Sequence, residues 1–307
     1  MATVAGVALP RVNDSGLEPA RLGSGMDMLL SALAFSLMGV CVKALGGRLP
    51  VAQVVLARSV VSLLISWWLL RRAGLSPWGQ RRWLLVSRGV LGTAGLYCVF
   101  LAIAGLPLAV ATVLQYLHPT FTALLAWPLL GERPGARVWL AVALGWLGVL
   151  LLTDPAALAV FQPVGTAAGV ALPTGPLLFA LAGALLSALA YVSVRALRRS
   201  EHPLVVVFYF PLMALPLSLP LVLLNPVAPR PAEWGWLLGV GVFTQLGQLA
   251  LTRGLMAMPA ARATALSYVQ VPLAALWGLL WFGESLDPDI LTAAGLVLGS
   301  TLLSLGR

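Results

Sequence analysis

Four cations of this chain lie where a charge is hardest to keep. Arg58, Arg88, Lys43 and Arg195 fall within long apolar stretches of a 307-residue sequence, and an ionisable group at the centre of a bilayer costs about 2.5–3.5 kcal/mol. Arg58 stands well inside its stretch and Arg88 a turn or two into the next, while Lys43 and Arg195 lie nearer the ends of theirs. No acid reaches a comparable depth: Asp27, Glu132, Glu233 and Glu284 all sit at stretch ends. A desolvated charge needs a partner. With no protein carboxylate at hand, the missing partner is an anion from outside, either the carboxylate of an amino or organic acid or a phosphate. Structural roles compete with this reading. Lys43 and Arg195 can snorkel to headgroups, backbone carbonyls or Gln53 can hold Arg58, and Arg88 can reach the cytoplasmic headgroups beside Arg81 and Arg82.

A second constellation carries hydrogen-bonding groups rather than charge. Gln115, Tyr116 and His118 stand mid-stretch beside Pro119, and Ser267, Tyr268 and Gln270 stand likewise beside Pro272. Breaks in membrane helices are tolerated where they line a cavity, so this level is the expected binding level. His118 can titrate, bond a carboxylate or simply pack. Tyr97, Tyr191 and Gln248 are further wall candidates for a substrate, with Thr112, Gln245 and Thr264 behind them. Glu132 and Glu284 end helices in matching Gly-Glu pairs, where a helix dipole disfavours an anion. They are expected to engage a neighbouring helix N-terminus or an Arg, as a hinge or gate latch. Pro107 and Pro259 open helices, where the missing amide is tolerated.

The elements that must position these groups are legible from composition. Hydrophobic residues make up 60% and charged residues 9%, against roughly 45–50% and about 25% for soluble domains. Apolar runs of helical length without alternation indicate membrane helices rather than a barrel. Ten spans are expected. Five run about Met26 to Leu45, Val51 to Leu70, Trp83 to Ala104, Leu108 to Leu130 and Val138 to Leu152. The other five run about Pro176 to Arg195, Leu204 to Leu224, Trp234 to Thr252, Ala260 to Phe282 and Ile290 to Leu305. The two sets match at one offset: Lys43 with Arg195, Pro107 with Pro259, Thr112 with Thr264, Tyr116 with Tyr268 and Glu132 with Glu284 are each 152 residues apart. Such duplication in an apolar chain marks a secondary transporter.

Charge placement sets the orientation. With the N-terminus inside, inner segments hold most of the Arg residues, from Arg71, Arg72, Arg81 and Arg82 to Arg198 and Arg199, while outer segments hold little more than Arg48 and Arg230. Both termini then face the cytoplasm, and five spans per half force opposite insertion, giving inverted repeats. The net charge of +9 therefore reads as topology, with a lipid bilayer and a small molecule as partners and no nucleic acid. Residues 1–25 read as a disordered cytoplasmic tail and residues 153–175, rich in Pro and Gly, as an extracytoplasmic linker between the halves at 26–152 and 176–307. Cys41 and Cys98 both fall inside spans and read as apolar fillers.

The string GLYCVFLAIAGLPLAVATVLQYLHPTFTALLAWPLLGERP and its echo GQLALTRGLMAMPAARATALSYVQVPLAALWGLLWFGES resemble the paired EamA domains of the drug/metabolite transporter superfamily. The resemblance covers about Met26 to Leu305. One departure stands out: Pro119 and Pro272 are 153 apart, a single-residue slip. The resemblance implies an all-α membrane protein of ten transmembrane helices in two inverted five-helix repeats. It also implies alternating access around a cavity lined by helices one to four and six to nine, in a bacterial inner membrane. Substrates across the superfamily are diverse, so cargo does not follow from it.

Enzymatic readings find no support in motif. The chain lacks an H-E-x-x-H pair, a G-x-S-x-G elbow, a P-loop and a Cys cluster. Its two His residues, His118 and His202, fall on opposite sides of the expected inner boundary. No metal or cofactor is expected. The expectation is an exporter or exchanger of amino acids or organic anions, acting as a monomer or homodimer. A drug or cation exporter of the same fold and a lipid-handling membrane enzyme are the alternatives.

Overall fold

The computed structural model describes residues 22–105, 114–152 and 174–282, with short pieces at 295–296, 299–300 and 302–303. Pro107, Thr112, Glu284, the interior of the linker, the tail before Leu22 and most of the last expected span lie outside the described residues. Among the described residues all regular structure is helical. In chain order the helices are α1 (Leu22–Ala44), α2 (Val51–Arg72), α3 (Arg82–Gly105), α4 (His118–Leu130), α5 (Ala136–Leu152), α6 (Thr174–Ala196), α7 (Pro203–Leu224), α8 (Pro231–Ala257), α9 (Ala260–Leu266) and α10 (Gln270–Phe282). A 3-10 turn, Ser267–Val269, joins α9 to α10. Helix α1 begins at Leu22, slightly before the boundary expected at Met26.

Six stretches are long and apolar enough to cross a bilayer by themselves: Gly25–Ala44, Val51–Arg72, Arg82–Ala102, Thr174–Arg199, Pro203–Leu224 and Ala260–Trp281. Helix α8 is longer than any of these, at 27 residues, but buries Thr244, Gln245 and Thr252 inside the protein. The chain is a multi-pass membrane protein. Its exposed Leu and Trp side chains, such as Leu64, Trp68, Trp127 and Leu223, are the surface a hydrocarbon solvent requires.

Each helix of the first part finds its main partner in the second. Helix α1 packs on α8, α2 on α7 and α3 on α6, while α4 lies on α6 and α10 on α1. Small residues allow the α3–α6 approach, as is general between membrane helices. A methyl at Gly95 would press on the Gly183 carbonyl at 3.3 Å, and one at Gly183 on Val99 at 3.0 Å. Cys41 is buried with Leu45, Leu49, Leu237 and Val240, the filler role expected of it.

Loops at equivalent places clasp equivalent helix starts. After α1, Arg48 pairs with Glu233 in the first turn of α8 and donates to the Ala228 carbonyl at 3.1 Å. After α6, Glu201 accepts from the backbone amides of Gln80 and Arg81 at 2.6 and 2.5 Å, just before α3. The Arg48 side chain and the Arg230 amide hold the Glu233 carboxyl at about 2, well below the usual carboxylate range.

Helix α4 ends on Gly131, whose φ of +71° lies in the left-handed region. That turn aims Glu132 back across the bundle. A methyl at Gly131 would meet no atom, so Gly131→Ala should destabilise through backbone conformation alone, by about 1 kcal/mol. Thermal unfolding in detergent checks this, and Gly131→Asn should cost less.

Candidate functional site

The two proline-broken segments meet at the centre of the molecule. Pro119 has no amide to offer the Gln115 carbonyl four residues back; His118 Nδ1 makes that bond instead, at 3.0 Å. A carbonyl only accepts, so Nδ1 carries the proton. In the neutral ring Nε2 is then left as an acceptor, 3.4 Å from Ser267 Oγ. Ser267 itself donates to the Thr264 carbonyl at 2.6 Å, and Tyr268 donates its hydroxyl to the Tyr116 carbonyl at 3.3 Å. Side chains at this level thus satisfy backbone groups in and beside the breaks. The rings of Tyr116 and Tyr268 stack with centroids 5.6 Å apart.

Around this junction lies a cavity of about 350 Å³, within the range of small-molecule sites. Its walls come from both parts of the chain, and most lining residues come as partners 152 apart: Phe35 and Ser187, Met38 and Ala190, Arg58 and Phe210, Leu96 and Gln248, Val99 and Leu251, Gln115 and Ser267, His118 and Gln270. Arg88, Tyr116, Tyr191, Ser31, Ala32 and Gly92 complete it. The partners are matched in place but not in chemistry.

The cavity is basic. Arg58 and Arg88 are only 6% and 2% exposed, and their guanidinium carbons stand 5.3 and 5.0 Å from the centroid of the Phe210 ring. Arg88 Nη2 donates to Gln248 Oε1 at 3.1 Å, while Arg88 Nε is buried without a partner. Among the described residues no carboxylate reaches either group. Gln53 is engaged with the Val227 backbone instead of Arg58, and Arg88 turns into the protein rather than toward headgroups.

Of the residues singled out by sequence, Arg58, Arg88, Gln115, Tyr116, His118, Tyr191, Gln248 and Gln270 are brought together here. Three others are not among the lining residues. Lys43 sits exposed in the last turn of α1, because that helix ends there. Tyr97 turns to α7 and donates to Ser218 at 2.8 Å. Tyr268 is fully buried, its ring filling the space that Gly145 leaves open. Gln245 donates to Ser66 at 2.8 Å and Thr264 to the Ala260 carbonyl at 3.0 Å; both are buried behind the wall. Phe35, Met38 and Phe210 line the cavity without having been named from sequence. An aromatic or Met in an apolar run carries no signal, except that Phe210 stands 152 residues after Arg58.

Glu132 forms a hub at the end of α4. Its Oε1 accepts from Arg195 Nε at 2.7 Å, and its Oε2 from the amide of Ala260, the first residue of α9, at 2.9 Å. Arg198 stands 3.6 Å away. Arg195, 3% exposed, also donates to the Met256 carbonyl at the end of α8, at 2.6 Å. Four helix ends therefore share one ion pair, in which Arg195 is buried and Glu132 half-buried, and Pro259 sets the start of α9 against it.

The model of the EamA-like transporter family matches the chain twice, at residues 26–154 and 174–306. The pseudopaline exporter CntI of Pseudomonas aeruginosa is 35% identical over 275 residues, covering 88% of this chain and 90% of that protein. A riboflavin transporter of Rhizobium johnstonii is 28% identical over 291 residues, covering 93% and 92%. A crystal structure with 19% identity superposes with a TM-score of 0.79 over 92% of this chain and 96% of the other, a likeness of fold. The chain belongs to the EamA-like transporter family and is a membrane transporter rather than an enzyme.

Proposed function

We propose that the protein exports, or exchanges, a small carboxylate-bearing metabolite of the amino-acid or organic-acid class by alternating access around the central cavity. The observation that carries this is the pair of buried guanidinium groups, Arg58 and Arg88, facing one cavity with no carboxylate among its described lining residues. An anion from outside supplies the charge they lack. Gln115, Tyr116, His118, Tyr191, Gln248 and Gln270 orient it by hydrogen bonds and ring contacts. A cation exporter would need the opposite sign in these walls. Export as the direction draws support from the relative named as an exporter.

The reading includes ten membrane helices in two inverted repeats. Two partner pairs of the 152-residue offset touch each other directly, Tyr116 with Tyr268 and Arg58 with Phe210, as residues on a two-fold axis do. The exchange of partners, first helix with third and second with second, supports the same axis. Arg71 over Trp67, Arg72 over Trp68 and Arg133 over Trp127 mark the ends of α2 and α4 as one interface. The positive-inside bias makes that interface cytoplasmic, with both termini on the same side of a bacterial inner membrane. The Glu132 hub then latches the cytoplasmic side.

Flux by the purified protein in vesicles tests the proposal. Saturable movement of a labelled amino or organic acid, competed by other carboxylates, is expected. Saturable transport of organic cations with no response to carboxylates would refute it.

A further inference from the structure

Arg58 and Arg88 share a ring instead of an anion-binding point. Arg58 leaves α2 seven residues after its start and Arg88 leaves α3 six residues after its own. As consecutive membrane spans these helices run in opposite directions, so at about 1.5 Å per residue each side chain begins about 10 Å inside a different end of the bundle. Their tips converge on Phe210, both about 5 Å from its centroid and hence within about 10 Å of one another. Gly92 leaves the room for this on one side: a methyl there would collide with Arg88 Nη1 and Phe210 Cε2.

The ring attracts each cation, which offsets only part of the cost of holding two like charges in an apolar wall. A monoanion would settle one guanidinium and leave the other desolvated and unpaired. Arg88 Nε, buried with no acceptor, is a donor awaiting one. The cavity of about 350 Å³ has room for far more than a single acid group.

We infer that the substrate is a dianion with two separated acid groups, one for each guanidinium, and that Phe210 is the spacer that sets their separation. The inference rests on the anion-carrying reading above. Phe210 acts as a positioning residue, selecting ligands by the distance between their acids.

The test uses the full chain in detergent, with thermal unfolding measured against succinate, glutarate, propionate and inorganic phosphate at constant ionic strength. A ligand that binds the folded state raises its apparent stability. Succinate or glutarate is expected to half-saturate at a concentration at least ten-fold below that of propionate, with phosphate no better than propionate. In Phe210→Leu the ratio of propionate to dicarboxylate half-saturation should shrink toward parity. Should that variant fail to fold, Arg58→Lys, which keeps the charge but loses the fork, should shrink the same ratio. Dicarboxylates no better than propionate, phosphate equal to dicarboxylates, or an unchanged ratio in the variants would overturn the spacing inference and leave the anion reading standing. If no acid shifts the unfolding, both fall.

Discussion

Arg88→Met should reduce transport at least a hundred-fold while leaving the protein as stable as before, or more stable. The two effects have one cause. Arg88 is 2% exposed, with Nε unpaired and a single hydrogen bond to Gln248. Desolvating such a cation costs the resting protein several kcal/mol, and a flexible apolar side chain of similar length removes that cost. Against this stands the loss of one hydrogen bond, which leaves Gln248 Oε1 without its donor at about 1–3 kcal/mol. The balance is a shift in stability between zero and about +2 kcal/mol. Flux in vesicles and thermal unfolding in detergent, measured on the same preparation, check both halves. A large drop in melting temperature with flux retained would make Arg88 a structural cation and remove the central support for anion transport.

The Glu132 hub should behave in the opposite way. Glu132→Ala leaves Arg195 buried, 3% exposed, with its carboxylate gone. Breaking one side of a fully buried pair costs about 3–5 kcal/mol, and with Glu132 19% exposed the loss here is expected at the low end of that range. The amide of Ala260 loses its acceptor as well. Removing both charges, in Glu132→Ala with Arg195→Met, should recover more than half of that loss, because no unpaired ion remains. A double-mutant cycle on thermal unfolding reads this directly. Additive losses would show that the two side chains act separately and that the latch does not exist as a unit.

Much of this was legible in the letters because membrane insertion leaves few solutions. Arg58 and Arg88 were candidates for a cavity wall from their depth in apolar runs, with backbone carbonyls or Gln53 competing for the first and cytoplasmic headgroups for the second. The Gln-Tyr-x-His-Pro and Ser-Tyr-x-Gln-x-Pro segments announced a helix break, since proline removes a donor wherever it falls. Glu132 at a helix C-terminus implied a partner elsewhere, and Arg195 with the Ala260 amide is that partner. What sequence could not give was direction around a helix axis within an apolar stretch. Tyr97, Tyr191 and Tyr268 have the same chemistry, yet only Tyr191 faces the cavity, because packing of α3 on α7 and of Gly145 on the Tyr268 ring turns the other two away. Lys43 and Arg195 share a repeat position but not an environment: one is exposed and the other buried. Phe210 carried only its 152-residue offset from Arg58, since a phenylalanine in an apolar run is otherwise silent.

The pairing of Arg58 with Phe210 has a consequence for ancestry. If five-helix halves with identical sequences assembled as a homodimer, position 58 would face its own copy. Arginine on both would set two charges against each other on the axis, and phenylalanine on both would leave no charge there to meet an acid. A tandem gene escapes the dilemma, since each copy can drift alone: one kept or gained the cation, the other the ring. A carrier with this site needs halves that are coded separately, as they are in one tandem chain.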